Sequence, residues 1–167
     1  MVLIRKPTSG LSEIALARFV ARAQRAAGLR RAVSVLVTTS QELQELNRCF
    51  RGKSKPTDVL SFPAADAVNG EFAGDVAISA EIAAENAGRL GHTPAEEIKI
   101  LTLHGVLHLA GYDHARDHGE MARKEKRLRR MLGLPAGLIE RNANQRPAPV
   151  KARKPVRKIA GPARASR

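Results

Sequence analysis

The apolar positions along the chain follow two different periods. Four short apolar runs, each bounded by Gly, Pro or polar residues, have the composition and length of β-strands. These predicted strands are residues 2–4, 33–39, 58–62 and 74–79. The last two are close enough in sequence to pair as a hairpin.

Apolar residues spaced three or four positions apart predict helices between and after the strands. Serines are suitable N-caps for the first three of these helices. The predicted helices, with their caps, are residues 12–27, 40–48, 79–87 and 93–110, followed by a basic amphipathic segment that ends near residue 133. The apolar stripes include Ile14 in the first helix and Met131 in the last, and Gly88 to Gly91 separates the third helix from the fourth.

The fourth helix has the strongest local signals and carries a pair of histidines. Thr93 supplies a capping hydroxyl, Pro94 takes the first helical position, and Glu96 completes a capping box. His104 and His108 lie one turn, or ~6 Å, apart on the same face of this helix. Two imidazole nitrogens at this spacing can reach one metal ion at ~2.0–2.1 Å.

A third histidine follows the helix. Gly111 is expected to end the helix and turn the chain, which brings His114 toward the pair. His118 competes with His114 for this third position, and Asp113 or Asp117 could also coordinate. Three histidines with an open fourth position are typical of a catalytic rather than a structural zinc site. The alternative is that these are ordinary hydrogen-bonding histidines, since pairs at this spacing also arise by chance.

The residue after the first histidine restricts the chemistry. Zinc peptidases with an H-E-x-x-H helix use that glutamate as the general base. Here the position is Gly105, so the helix delivers no carboxylate. Ordinary peptidase chemistry is therefore disfavoured.

Length and composition favour one domain in a reducing compartment. The chain of 167 residues suits a single core, and we predict one domain over residues 1–140. The lone Cys49 excludes an intramolecular disulfide and a sulfur-based zinc site. No apolar run approaches the ~20 residues that span a bilayer, and the N-terminal run is too short for a signal peptide. We therefore expect a soluble, cytoplasmic protein without a membrane partner.

The net charge of +13 is unevenly distributed. Residues 1–140 carry +4, whereas residues 141–167 carry +9 and contain no acidic residue. The second segment also holds four of the nine prolines and few large apolar residues, so we predict a disordered basic tail. Such a tail suits an electrostatic arm for RNA, and the alternative is a solubilising extension.

A basic loop after the second helix is the other candidate for phosphate binding. Arg51, Lys53 and Lys55 supply donors suited to phosphate oxygens, and we predict that they contact the substrate. A cluster of this kind beside Gly and Pro is also typical of a solvated turn. With four Phe and one Tyr the chain has little surface for base stacking, which favours recognition of the RNA backbone over base readout.

Three stretches of the chain match the motifs of one protein family. Residues 104–114 (HGVLHLAGYDH) fit the signature H-G-x-L-H-L-x-G-Y-D-H at every fixed position. Residues 51–63 fit a basic loop and the strand that follows it, and residues 74–79 fit its hairpin partner. In these motifs, and in their order and spacing, the chain resembles the bacterial YbeY endoribonucleases over residues 2–135.

The resemblance implies an α+β fold, with a small mixed four-stranded sheet, helices packed on it, and a metal site on a helix and the turn after it. It implies one Zn²⁺ per chain held by His104, His108 and His114, with Arg51 as the family's essential arginine. The implied activity is a zinc-dependent, single-strand-specific endoribonuclease that processes the 3′ end of small-subunit rRNA and acts in ribosome maturation and quality control. The implied partners are rRNA and the small ribosomal subunit or its proteins, and no DNA is expected.

A tri-histidine zinc site of this kind activates water near neutral pH. The sequence leaves open whether that water attacks phosphorus or removes the proton of a ribose 2′-OH. Two other functions compete: an RNA-binding ribosome assembly factor with a structural metal and little or no nuclease activity, and a metal hydrolase of a non-RNA substrate. The hydrolase fits the basic loop less well, because a small neutral substrate would not require it.

Overall fold

The computed structural model describes residues 1–64, 70–113 and 116–135. His114 and the predicted tail over residues 141–167 lie outside these ranges, so the division into domain and tail stays a prediction. In chain order the elements are β1 (Val2–Ile4), α1 (Glu13–Ala27), β2 (Ala32–Thr38), α2 (Ser40–Arg51), β3 (Val59–Pro63), β4 (Phe72–Ser79), α3 (Ala80–Leu90), α4 (Pro94–Leu109) and α5 (Glu120–Leu132). Among the described residues no helix is both long and apolar enough to cross a lipid bilayer.

The strands form one mixed sheet in the order β1-β2-β4-β3. β1, β2 and β4 are parallel, and β3 pairs antiparallel with β4 in a register that runs from Val59↔Ile78 to Pro63↔Gly74. The predicted hairpin and the predicted α+β fold with a mixed four-stranded sheet are therefore confirmed. β3 is an edge strand, a position that tolerates Pro63 because its outer side needs no ladder N–H.

Alternating side chains give the sheet two unlike faces. The buried Val35 and Val76 belong to the main core, which also includes residues of α1, α3, α4 and α5, and we call this side the covered face. On the other side α2 packs through a small cluster of Leu43, Leu60 and Ala77. We call this second side of the sheet the open face. Beside α2 the open face forms a groove.

α2 is longer than predicted and has a different N-cap. The side chain of Thr39, not that of Ser40, accepts the backbone N–H of Glu42 and caps the helix. The helix continues to Arg51, which the sequence placed in the loop, because no helix breaker comes before Gly52. Gly52 closes the helix in the left-handed region with φ 65°.

α3 also runs past its predicted end. The expected separation at Gly88 is wrong, since the helix continues to Leu90 and closes at Gly91. Gly88 is exposed inside the helix, where glycine costs about 1 kcal/mol relative to alanine but breaks no backbone hydrogen bond.

α5 buries a different set of side chains from the predicted stripe. Leu128 is buried as expected, whereas Met131 is 57% exposed and Arg129 only 2% exposed. The basic residues of such an amphipathic segment are expected on its solvated face. For Arg129 this is wrong because Glu125 pairs with it inside the protein. Ile14 of α1 likewise lies outside the buried stripe and is 67% exposed.

Candidate functional site

α4 begins and ends close to the predicted residues. The Thr93 side chain accepts the backbone N–H of Glu96, and the Glu96 carboxylate accepts the backbone N–H of Thr93, which completes the predicted capping box. The backbone N–H of Thr93, and then its hydroxyl, donate to the Glu96 carboxylate and hold the pKa of Glu96 below its ordinary value. The helix ends at Leu109, and Gly111 turns the chain with φ 92°.

His104 and His108 face each other on this helix, as their spacing predicts. Their rings are arranged edge to face, with centroids 4.7 Å apart. The two Nε2 atoms are 3.1 Å apart. Two nitrogens bound to one tetrahedral zinc at ~2.0–2.1 Å would be separated by about 3.3 Å, so this arrangement needs only a small adjustment to share an ion.

A buried carboxylate stands behind His104. Glu125 Oε2 lies 3.0 Å from His104 Nδ1, and Glu125 Oε1 lies 3.3 Å from Nη1 of Arg129. Glu125 and Arg129 are 1% and 2% exposed. An ionised carboxylate only accepts, so in the tautomer that suits this pair His104 would donate from Nδ1 and leave the Nε2 lone pair toward His108. Carboxylates hold metal-binding histidines in this way, and the donor chemistry fits zinc.

These contacts do not identify the third metal ligand. His114 lies outside the described residues, and within the described ranges no three His, Cys, Asp or Glu side chains form a metal-binding group. The assignment of His104, His108 and His114 as ligands therefore stays a prediction.

The alternative ligands have other contacts. Both carboxylate oxygens of Asp117 accept backbone N–H groups at the start of α5, from Gly119 and Met121 at 2.8 Å each. The N–H of Met121 above all, with that of Gly119, holds the pKa of Asp117 below its ordinary value, although desolvation opposes the shift. His118 is exposed, and Asp113 lies 3.5 Å from Arg116 in an ion pair. Asp117 is thus a capping residue of α5.

Gly105 lets α4 approach the sheet closely. A Cβ atom at this position would lie 2.6 Å from Cγ1 of Val76 and 3.1 Å from Oγ of Ser61. A side chain at residue 105 would therefore point into the sheet rather than toward the histidine nitrogens. Packing is thus a second reason why residue 105 cannot carry the general-base glutamate of an H-E-x-x-H helix.

Arg51 lies at the end of α2 and binds the edge strand. Its Nη2 donates a 2.8 Å hydrogen bond to the carbonyl of Ser61, and its guanidinium carbon is 5.9 Å from the centre of the Phe62 ring. On the other side of the strand, Ser61 Oγ lies 3.5 Å from the Gly105 carbonyl on α4. Ser61 therefore links Arg51 to the histidine-bearing helix.

Lys53 and Lys55 are exposed in the loop that follows α2. Side-chain amides of α2 hold the backbone of this loop, since Asn47 donates to the carbonyl of Lys55 and Gln44 to that of Ser54. The cations thus project from a loop whose backbone is tied to a helix. Their contact with substrate stays a prediction.

Glu125 and Arg129 were not predicted as site residues, because the sequence pattern indicated a basic amphipathic helix here and placed neither residue in the buried stripe. A signal was present: Glu125 lies four residues after Met121 and three before Leu128, both buried, so an acidic residue occupies the apolar stripe. Its pairing with His104 joins residues 21 apart in sequence and requires the packing of α5.

The comparison with known proteins agrees with the motifs and the fold. The sequence profile of the family Endoribonuclease YbeY matches residues 9–133. Endoribonuclease YbeY of Koribacter versatilis is 58% identical over 141 residues, which cover 84% of this chain and 91% of the relative. Endoribonuclease YbeY of Solibacter usitatus is 48% identical over 140 residues, which cover 84% of this chain and 92% of the relative. A solution structure from Thermotoga maritima superposes with a TM-score of 0.55 at 28% identity, covering 87% of this chain and 94% of the other. The chain belongs to the YbeY endoribonuclease family.

Proposed function

We propose that this chain is an endoribonuclease that cleaves single-stranded RNA, with one zinc ion held by His104, His108 and His114. The observation that carries the proposal is the approach of two Nε2 atoms to 3.1 Å in front of a buried carboxylate, in a chain of the YbeY family. Zinc bound there would supply Lewis acidity and lower the pKa of water beside the scissile phosphate.

Glu125 prepares His104 for this role. By accepting the Nδ1–H it keeps the Nε2 lone pair directed at the ion, and Arg129 holds the other carboxylate oxygen. The two partners are buried, so their geometry does not have to be ordered when substrate binds.

Arg51 would stabilise the negative charge that builds on phosphorus. Its hydrogen bond to the Ser61 carbonyl fixes the guanidinium at the strand edge, and a fixed cation costs little reorganisation in the transition state. Lys53 and Lys55 would attract the RNA backbone without reading its sequence.

The cellular substrate is proposed to be rRNA, with cleavage at the 3′ end of the small-subunit species during ribosome maturation and quality control in the cytoplasm. The support is the family membership and the excess of basic residues, +13 over the whole chain. The small ribosomal subunit or its proteins would then be partners.

The test measures zinc content and cleavage of single-stranded RNA in parallel for the wild type, His108→Ala, Arg51→Ala and Arg48→Ala. We expect His108→Ala to lose both zinc and cleavage. Arg51→Ala should keep zinc and lose about 10²–10³-fold in turnover, the cost of removing one preorganised donor. Arg48, on the same helix but paired with Glu45, is the matched control and should retain activity.

Cleavage by metal-free protein would refute the proposed zinc dependence, and equal losses of zinc and turnover in Arg51→Ala would refute its assigned role. The assembly-factor alternative makes a different prediction, because folded His108→Ala protein would then still support rRNA processing in cells. A 2′,3′-cyclic phosphate on the product would identify the ribose 2′-OH as the nucleophile.

A further inference from the structure

The open face of the sheet carries a groove beside α2. Its volume is about 660 Å³, within the ~300–1,000 Å³ typical of ligand sites. Leu3 of β1, Leu36 of β2 and Phe62 of β3 contribute apolar surface, and Phe50 of α2 lies at one side. Apolar surface of this kind within a polar rim marks binding sites.

Two of the four phenylalanines of the chain meet at this groove. Phe50 and Phe62 have ring centres 5.3 Å apart and an interplanar angle of 59°. Phe50 lies on the last turn of α2 and is 70% exposed, so it packs against little of the core. An exposed phenylalanine beside a second ring offers a stacking surface for a flat aromatic ligand.

The polar groups around these rings favour a nucleotide over a purely apolar partner. The guanidinium of Arg51 lies over Phe62 and provides donors for phosphate. Ser34 and Asp75 also line the groove and can hydrogen-bond the edge of a base. Arg5, a further cation of the groove, is paired with Glu42. A base with its attached phosphate matches this combination of ring surface, hydrogen-bonding groups and cation.

We propose that the groove is a nucleobase-binding site, which takes one unpaired base of the RNA while Arg51 holds the adjacent phosphate. The proposal rests on the proposed function, since it names how the same substrate is held. It makes the recognition of RNA partly dependent on its bases, which the small number of aromatic residues did not predict.

The edge strand β3 places this groove next to the histidine helix. Ser61 and Phe62 are successive residues, so their side chains lie on opposite faces of the sheet. Ser61 contacts Gly105 of α4, Phe62 lines the groove, and Arg51 contacts both residues of the strand. An RNA strand that crosses this edge can therefore have its phosphate at Arg51 and a base on the open face. Bases held within a duplex are not available for this, so the site selects single strands.

The first experiment uses Phe50→Trp. The chain contains no tryptophan, so the introduced indole is the sole tryptophan fluorophore and lies at the groove. Stopped-flow mixing with a short single-stranded oligoadenylate, before cleavage proceeds, should quench its emission by base stacking. A sugar–phosphate strand of equal length without bases should bind weakly and leave the emission unchanged.

The second experiment compares Phe50→Ala with Ile14→Ala. Both side chains are exposed to a similar degree, 70% and 67%, but Ile14 lies on α1 and does not line the groove. Loss of one base stack should raise the Kd for the oligoadenylate about 5- to 150-fold for Phe50→Ala. Ile14→Ala should bind as the wild type does, and both variants should keep the zinc content of the wild type.

Equal affinities of the two alanine variants, or equal quenching by the strand without bases, would overturn the nucleobase site. An emission change that depends on protein concentration alone would overturn it as well, because it would identify the groove as a contact between copies of the chain. The two proposals fail separately. RNA-dependent quenching in Phe50→Trp, together with a wild type that does not cleave RNA, would refute only the nuclease function. Cleavage by Phe50→Trp without quenching would refute only the groove.

Discussion

The two faces of the sheet differ in how their polar groups are supported. On the covered face, His104 is held by Glu125, which is itself held by Arg129, and the latter two side chains are almost fully buried. On the open face, Phe50 is exposed, and the cations Lys53 and Lys55 are exposed in the loop that follows α2. The number of helices on each side causes this difference. Within the described ranges, α1, α3, α4 and α5 share one core, whereas α2 alone packs on the other side.

This difference suits the two faces of the sheet to different tasks. Polar groups inside a low-dielectric core interact strongly and keep one geometry, which suits the positioning of a metal and a reacting phosphate. Exposed cations and rings are accessible to a partner, so they suit the binding of a long flexible strand whose contacts are individually weak.

The largest effect on stability is expected where α4 meets the sheet. Gly105→Ala should lower the free energy of unfolding by about 1–2 kcal/mol, because overpacking against Val76 outweighs the gain in helix propensity. Gly88→Ala is the matched control: its added Cβ meets nothing within 4 Å, so the same change should stabilise the protein by about 1 kcal/mol. Urea unfolding of both variants measures the difference. Stabilisation by both would mean that α4 does not need a glycine for its approach to the sheet.

Removal of the charge behind His104 should weaken metal binding. Glu125→Gln keeps the shape of the side chain but replaces the carboxylate, and loss of such a support typically costs 10–100-fold in metal affinity. Competition with a chelator measures the zinc affinity, and circular dichroism checks the fold. Glu120→Gln makes the same substitution at an exposed position of α5 and should leave the affinity unchanged. Equal affinities of the two variants would exclude Glu125 as the support of the site.

The loop cations should contribute through salt-dependent binding. Each of Lys53→Ala and Lys55→Ala should reduce the dependence of log Kd on log salt concentration by about 0.7, the value for one phosphate contact in a single strand. The loss should be similar for oligonucleotides of different sequence, because phosphates carry no base information. An unchanged salt dependence in both variants would instead favour the alternative, in which the loop is a solvated turn.

The smallest effect is expected at Asp117, on the cap of α5. Its pKa is lowered in the folded protein by the backbone N–H of Met121 and then by that of Gly119, so its ionised form stabilises the fold above the ordinary Asp pKa. This contribution is lost as the pH falls through the lower folded pKa. Asp117→Asn should therefore lower Tm at neutral pH, and the difference from the wild type should shrink in acid. Glu120→Gln, which removes a charge from the same turn, should not reproduce this pH dependence.

Local patterns in the sequence predicted most of the elements and the part of the site that lies on one element. The capping box at Thr93, the stop at Gly111 and the facing of His104 and His108 all depend on residues within a few positions of one another. Helix ends were less predictable: glycine at residue 88 was read as a break, yet the neighbouring turns of α3 tolerate it.

The periods of the strands and helices, the spacing of the two histidines and the motifs of the family can be read from the sequence, because each follows from chemistry within a short segment. The packing of the folded chain places Glu125 behind His104, Gly105 against Val76, and Phe50 at the border of a groove. These contacts join segments distant along the chain. They depend on how all helices share the faces of one sheet, and no single segment contains that information.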